Sequence, residues 1–392
     1  MTQAPPAMSA DLKAKALSAS KSSKPLKLRE VRLDDHSQVA GLALKFGLDA
    51  DEFAAWKNLW MDNPTFREIK VKFPMGWVLE TADGSIAGYL GNIPMRYELE
   101  GRRILVATGR SWVVDAAYRP YSLLLMGTYF QQPNVDLFLT TSVNSQSAVP
   151  LSAFQWVRVP KGAWDRTLFW ITYPQGFSES YLRKKGWPAP KLLSYPLSLG
   201  ISFRDRVRGD RFLKTSSDFA VLSCKAFDDR FDAFWTALRK RKSKVLLAVR
   251  DRETLDWHFK SALLNNIAWV YTLEDSRGLI AYAVFLRQDR RLVGLKRVCL
   301  VDFQCLEQEK APALLTAMLR AAFERCRQES VHMLELVGPT PLLEECAERA
   351  SPHRRQLANW MYFYKTDDRI LSEKLLNADV WEPSVFDGDS PL

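Results

Sequence analysis

The chain has 392 residues, more than a single hydrophobic core usually serves, and 47% of them are hydrophobic, so two globular units with separate cores are expected. The net charge of +10 leaves a polyanionic partner open, while no run approaches the roughly 18 apolar residues of a membrane-spanning helix, so no membrane span is expected. Five cysteines without a CxxC pair or a neighbouring histidine cluster point to reduced, packed thiols in a cytoplasmic protein, and to neither a metal site nor a disulfide framework.

Residues 1–26 mix Lys13, Lys15, Lys21 and Lys24 with Ala, Ser and Pro, a composition that buries no core, so a disordered basic tail is expected there. Leu26 to Arg32 reads as a strand. Asp34 or Asp35 can cap a helix running to about Phe46, and a second helix, Asp51 to Trp60, ends at Asn63-Pro64. Trp77 to Glu80 and Ile86 to Pro94 form a hairpin around Asp83-Gly84, with a further strand near Met95 to Leu99. The next strand covers Leu105 to Asp115, a helix follows from Ser122 to about Gln131, and a strand at Val135 to Thr140 leads into a helix after Asn144. Leu192 to Phe203 alternates well enough to close the first unit as a strand, and Arg204 to Arg211 reads as an exposed linker.

The pattern then returns about 190 positions later, a period that suits a duplicated domain rather than a solenoid. Trp77-Val78-Leu79-Glu80 and the turn to Tyr89 have a counterpart in Trp269-Val270-Tyr271, the acidic turn at Glu274-Asp275, and Leu279 to Tyr282. Arg110 to Asp115 is echoed by Arg297 to Asp302, and Glu52 to Trp56 by Glu253 to Trp257. The expected division is therefore a tail at 1–26, a first domain at 27–203, a linker at 204–217, a second domain at 218–370 and a closing tail at 371–392.

The element order, the hairpin Gly84-Ser85-Ile86-Ala87-Gly88-Tyr89 and the segment Val113-Val114-Asp115-Ala116-Ala117-Tyr118-Arg119-Pro120-Tyr121-Ser122 resemble the GNAT superfamily of acyl-CoA-dependent N-acyltransferases. The tandem layout is similar to that of mycothiol synthase and the FemAB-type transferases. The resemblance implies a mixed α/β fold of two tandem GNAT-like domains, each a mostly antiparallel central sheet flanked by helices. It also implies acetyl-CoA or another acyl-CoA as co-substrate, bound by the first domain, with a small-molecule or peptide amine as acceptor between the domains, and a degenerate second domain.

By that resemblance the strand end Val113 and Val114 binds the pantetheine arm, Asn144 touches it, and Arg119, Pro120, Tyr121, Ser122, Leu123 and Leu124 hold the pyrophosphate at a helix start. The physical basis is general, because a helix N-terminus presents unpaired N–H groups and partial positive charge to an anion. Arg119 would add a charge and Ser122 a capping hydroxyl. Ser122 and Leu124 stand where the superfamily pattern has small residues, and Leu151 where many members carry a Tyr acid. Candidate proton-transfer groups are Glu80 and Asp115 as bases and Tyr129 or Tyr89 as acid.

Other chemistry finds no support. His36, His258, His332 and His353 are scattered, and no G-x-S-x-G, P-loop or Rossmann glycine pattern occurs. The run Arg239 to Lys244 follows an apolar-periodic helix and reads either as its positively charged end or as an anion site. The closing Asn377 to Asp389 segment reads either as an exposed terminus or as a cover that brings Asp387 and Asp389 to an amine. Two alternatives to the acyl-CoA transferase therefore stay open: a non-catalytic binding protein on the same fold, and a FemAB-like transferase using aminoacyl-tRNA, with the basic surface on the tRNA phosphates.

Overall fold

The computed structural model describes residues 26–48, 50–143, 151, 153–208, 219–348, 350, 352–357, 362–389 and 392. Asn144, most of the expected tail at 1–26 and much of the expected linker lie outside the described residues. The contacts divide the chain into a first unit, the residues up to Met95 with Leu105–Phe138, and a second unit, Arg96–Ile104 with Leu139–Leu392.

The first unit opens with strand β1 (Leu26–Glu30), helices α1 (His36–Lys45), α2 (Phe53–Met61) and α3 (Pro64–Glu68), and strands β2 (Gly76–Thr81), β3 (Ile86–Leu99) and β4 (Arg102–Val114). Helix α4 (Ser122–Phe130) and the start of strand β5 (Leu137–Thr140) complete it, while Arg96–Ile104, at the β3–β4 turn, counts with the second unit, and the strands follow the order β1-β2-β3-β4-β5. The expected hairpin is present, with Trp77 opposite Leu90, Val78 opposite Tyr89 and Gly84 at φ 81° in its turn. Two strands were expected between Ile86 and Leu99, but β3 runs through Pro94 without a break. Pairing with β2 ends at Gly76 opposite Gly91, so the missing N–H of Pro94 costs no bond with β2. Beyond that point Trp60 Nε1 donates to Asn92 O at 2.7 Å and Asn63 Nδ2 donates to Pro94 O at 2.9 Å, so side chains of the helical segment replace the strand partner.

The second unit holds β6 (Val157–Arg158), β7 (Arg166–Ile171), α5 (Pro174–Lys184), α6 (Pro190–Arg208), β8 (Leu222–Cys224), α7 (Asp229–Arg241), β9 (Leu247–Ala248), α8 (Arg252–Leu264), β10 (Ala268–Asp275), β11 (Gly278–Arg287) and β12 (Arg297–Cys305). It continues with α9 (Ala311–Gln328), β13 (Met333–Val337), α10 (Pro341–Glu348), β14 (His353–Gln356), β15 (Phe363–Lys365) and α11 (Arg369–Leu375). A seven-stranded sheet runs β14-β7-β13-β12-β11-β10-β8, antiparallel except for β12 beside β13. Helix α9 covers it with Leu314, Leu315, Met318, Leu319, Ala322, Phe323 and Cys326, a stripe at spacings of three and four that fixes it as an amphipathic helix.

Strand β7 pairs with β13, Ile171 opposite Met333, so a strand from the expected first domain completes the sheet of the second unit. The segment expected to be a strand at Leu192 to Phe203, and the start of the expected linker, form one helix, α6. Apolar residues at odd positions mimic a strand there, but Ser194 and Ser198, four apart, make the buried face of a helix that packs on α5.

Candidate functional site

The resemblance directs attention to the end of β4 and the start of α4, both in the first unit. Ser111 sits inside β4 at φ 54°, a left-handed conformation that a non-glycine residue rarely takes and that breaks the regular pleat. Two and three residues after it come Val113 and Val114, both buried. Gly91 of β3 lies against this stretch so closely that an added Cβ would stand 3.1 Å from Arg110 O. Within the same strand Thr108 Oγ1 and Trp112 Nε1 are buried and find no hydrogen-bond partner among the described residues. Buried polar atoms normally have one, so these two are places where a ligand could supply it. Nothing in the sequence marked Thr108, Ser111 or Trp112, because neither a left-handed Ser nor an unpartnered side-chain atom leaves a compositional signature.

Asp115 ends the strand and caps a 3-10 turn, Ala116–Tyr121, by accepting from Ala117 N; α4 follows directly. Arg119 and Pro120 are exposed in that turn, Tyr121, Ser122 and Leu123 are half-buried, and Leu124 is exposed. No hydrogen bond or ion pair engages the Arg119 side chain among the described residues, although its carbonyl is taken up by the turn. The expected cap does not form: Tyr121 occupies the cap position, Ser122 makes no capping bond, and its N–H donates to Arg119 O. The 3-10 turn therefore takes up one of the amides expected to face a phosphate. Leu151 is buried.

Three of the expected proton-transfer groups, Glu80, Asp115 and Tyr129, have structural partners, and the fourth, Tyr89, is buried with no hydrogen-bond partner for its hydroxyl among the described residues. Glu80 accepts from Arg29 Nε at 3.0 Å and Arg29 Nη2 at 3.1 Å, and the same guanidinium grips Asp35 at 2.7 Å. These bonds hold Glu80 below the usual carboxylate range, the opposite of what a base at neutral pH needs. Asp115 is likewise lowered by its bond to Lys45. Tyr129 is buried and donates to Ala107 O at 2.7 Å, and Tyr89 is pushed up to about 12 by burial. All four read better as supports of the sheet than as acids or bases.

In the second unit β12 and β13 pair only from Arg297 opposite Met333 to Cys299 opposite Glu335. Further along lies a cavity of about 50 Å3 bounded by Asp302, Gln304, Val337, Thr340, Glu382 and Ser384. That is water-sized rather than large enough for a pantetheine arm. The closing segment is packed, with Trp381 and Phe386 buried. Asp387 joins Asp302 around the guanidinium of Arg250, and Asp389 accepts from Ser142 Oγ at 3.0 Å. The basic run behaves as a helix end: Arg241 donates to Leu306 O at 2.5 Å and Lys242 pairs with Glu382.

No family model matches the chain, and no curated protein does. Among solved structures, Saccharomyces cerevisiae N-myristoyltransferase with bound myristoyl-CoA matches with TM-score 0.53 at 9% identity, over 88% of this chain and 81% of that one. A GCN5-related N-acetyltransferase from Anabaena variabilis matches with TM-score 0.51 at 10% identity, over 87% and 73%. One from Kribbella flavida matches with TM-score 0.51 at 10% identity, over 88% and 72%. The chain shares its fold with these N-acyltransferases. Within this fold the two hairpins, β2–β3 and β10–β11, and the two strand–helix–strand segments, β4–α4–β5 and β12–α9–β13, occupy the same places in chain order.

Proposed function

We propose that the chain is an acyl-CoA-dependent N-acyltransferase whose first unit holds the co-substrate at the end of β4 and the start of α4. The observation that supports this most directly is the left-handed Ser111 two residues before Val113, in a strand that also carries the unpartnered Thr108 Oγ1 and Trp112 Nε1. Val113 and Val114 offer backbone to a pantetheine arm, and the unengaged Arg119 offers charge to the pyrophosphate. A neutral amine attacks the thioester carbonyl, the C–N bond forms, the C–S bond breaks, and the proton lost by nitrogen balances the departing thiolate. Glu80, Asp115 and Tyr129 are not assigned the proton transfer, because each is already bonded.

Calorimetric titration with CoA, acetyl-CoA and longer acyl-CoAs, alongside Arg119→Glu, tests the reading. Stoichiometric binding weakened by the variant supports it, and the preferred chain length names the donor. No heat from any of them removes it. The buried Leu151, standing where the resemblance places a Tyr acid, favours a second reading, a binding protein without turnover. Binding of acyl-CoA with no thiol release across a panel of amines would select that one.

A further inference from the structure

Helix α6 is amphipathic in the wrong sense for a core helix. Its buried face carries Ser194 and Ser198, with Ile201 and Asp205 half-buried beside them. The serine hydroxyls bond within the helix, Ser194 to Lys191 O and Ser198 to Tyr195 O, both at 2.7 Å, which satisfies them and lets α6 lie close on α5. The opposite face presents Leu192, Pro196, Leu199, Phe203 and Val207, spaced four, three, four and four apart. Leu192 is 78% exposed, Phe203 70%, Val207 69% and Leu199 54%. Trp187 and Tyr195 are also more than half exposed. An outward stripe of this size is not the scattered apolar surface that every protein carries.

Charge decides what covers it. From Tyr181 to Arg208 the sequence has seven Lys or Arg against a single acid, Asp205. Lys184, Lys185 and Lys191, between the end of α5 and the start of α6, are exposed. Two copies of this face would bring like charges together. The segment 1–25 of the same chain is itself basic, with Lys13, Lys15, Lys21 and Lys24 against Asp11. An anionic bilayer surface complements both the stripe and its basic flank, and Trp and Tyr suit the headgroup level. No helix among the described residues is long and apolar enough to cross a membrane, which fits a helix that lies on one.

We propose that α6, with the loop at Trp187, docks in the interfacial layer of an anionic phospholipid bilayer, Leu192, Leu199, Phe203 and Val207 entering the acyl boundary and Lys184, Lys185 and Lys191 meeting the headgroups. The test is co-sedimentation of the full chain with vesicles of phosphatidylcholine alone and of phosphatidylcholine with phosphatidylglycerol. Binding to the anionic vesicles should exceed binding to the neutral ones at least about tenfold and weaken with salt. Leu192→Glu with Phe203→Glu should reduce it by at least about tenfold while the melting temperature stays put, because both side chains face away from the fold. Lys184→Glu with Lys185→Glu provides a second variant at exposed positions, where the Lys185 ammonium lies over the Tyr181 ring at 5.9 Å, and should lower anionic binding alone. Absence of vesicle binding, or binding that neither variant alters, overturns the proposal. A concentration-dependent dimer that the Leu192/Phe203 variant dissolves, without vesicle binding, overturns it in favour of self-association.

Discussion

Arg250 Nε lies 2.9 Å from Asp302 Oδ2, and both side chains are almost wholly removed from solvent. Asp387 approaches the same guanidinium at 3.2 Å, Tyr282 donates to Asp302 at 2.7 Å, and Ser384 donates to Asp302 at 3.2 Å. Burial opposes the charge of Arg250, but the two carboxylates hold its pKa well above the ordinary value. This cluster ties the closing segment to β12 and to the chain after β9, all within the second unit.

Arg250→Met is expected to destabilise the second unit by about 3–5 kcal/mol, because it strands two carboxylates in a dry site. Thermal and urea unfolding measure the loss. A change below about 1 kcal/mol would mean that water reaches the cluster.

Asp387 is raised to about 6, chiefly by burial and against the pull of Arg250. A carboxylate whose folded pKa exceeds its unfolded value stabilises the fold when protonated and loses that contribution as the pH rises. Its term should therefore fall between about pH 4 and 6, by an amount on the order of 2–3 kcal/mol. Other carboxylates, held low by their partners, slope the opposite way. The readout is thus the difference between the wild-type chain and Asp387→Asn, which should lose this falling component. Parallel stability curves through that window would contradict the assignment.

Ser111 at φ 54° predicts opposite effects for two substitutions. Ser111→Gly should be neutral or stabilising by up to about 1 kcal/mol, whereas Ser111→Val should cost about 1–3 kcal/mol. If the bulge also shapes the acyl-CoA site, Ser111→Val should raise the dissociation constant measured by calorimetry, and Ser111→Gly should not.

Glu80→Gln separates a structural carboxylate from a base. Loss of the charge and of one of its two bonds to Arg29 should lower the melting temperature slightly and leave kcat within about twofold. A drop of about a hundredfold in kcat with unchanged stability would restore Glu80 as the base.

Gly388 has no room for a side chain, since an added Cβ would fall 1.8 Å from Thr141 Oγ1. Gly388→Ala should therefore cost about 1–3 kcal/mol; adding Thr141→Gly should recover part of it, and Thr141→Ala less, because the Cβ it keeps would still stand 2.7 Å from the new one. Strict additivity of the two changes would show that the closing segment does not pack there.

Much of the first unit was legible because its signals are local. The β2–β3 hairpin is announced by Asp83-Gly84 between apolar runs, and the α2 and α4 helices by period and breakers, so the element order and the GNAT resemblance could be read from the residues. The segment proposed to hold the cofactor was singled out by motif, but its local geometry could not be read that way. Whether the Ser122 N–H is free depends on the 3-10 turn before it, and that turn is set by Asp115 capping Ala117. Glu80 read as a candidate base because the partner that holds it, Arg29, lies 51 residues away in sequence.

By itself the sequence determined which segments alternate, which are amphipathic and where turns interrupt them, since these follow from neighbours within a few residues. Only the tertiary structure decided that β3 continues through Pro94, because the replacement bonds come from Trp60 and Asn63, some thirty positions earlier. Likewise only the fold placed β7 beside β13 and turned the apolar stripe of α6 outward. The odd-numbered apolar residues of that segment fit a strand and its fourfold serines fit a helix, so local pattern alone left two answers. Packing against α5 chose the helix, burying the small serine face and leaving the large side chains to solvent.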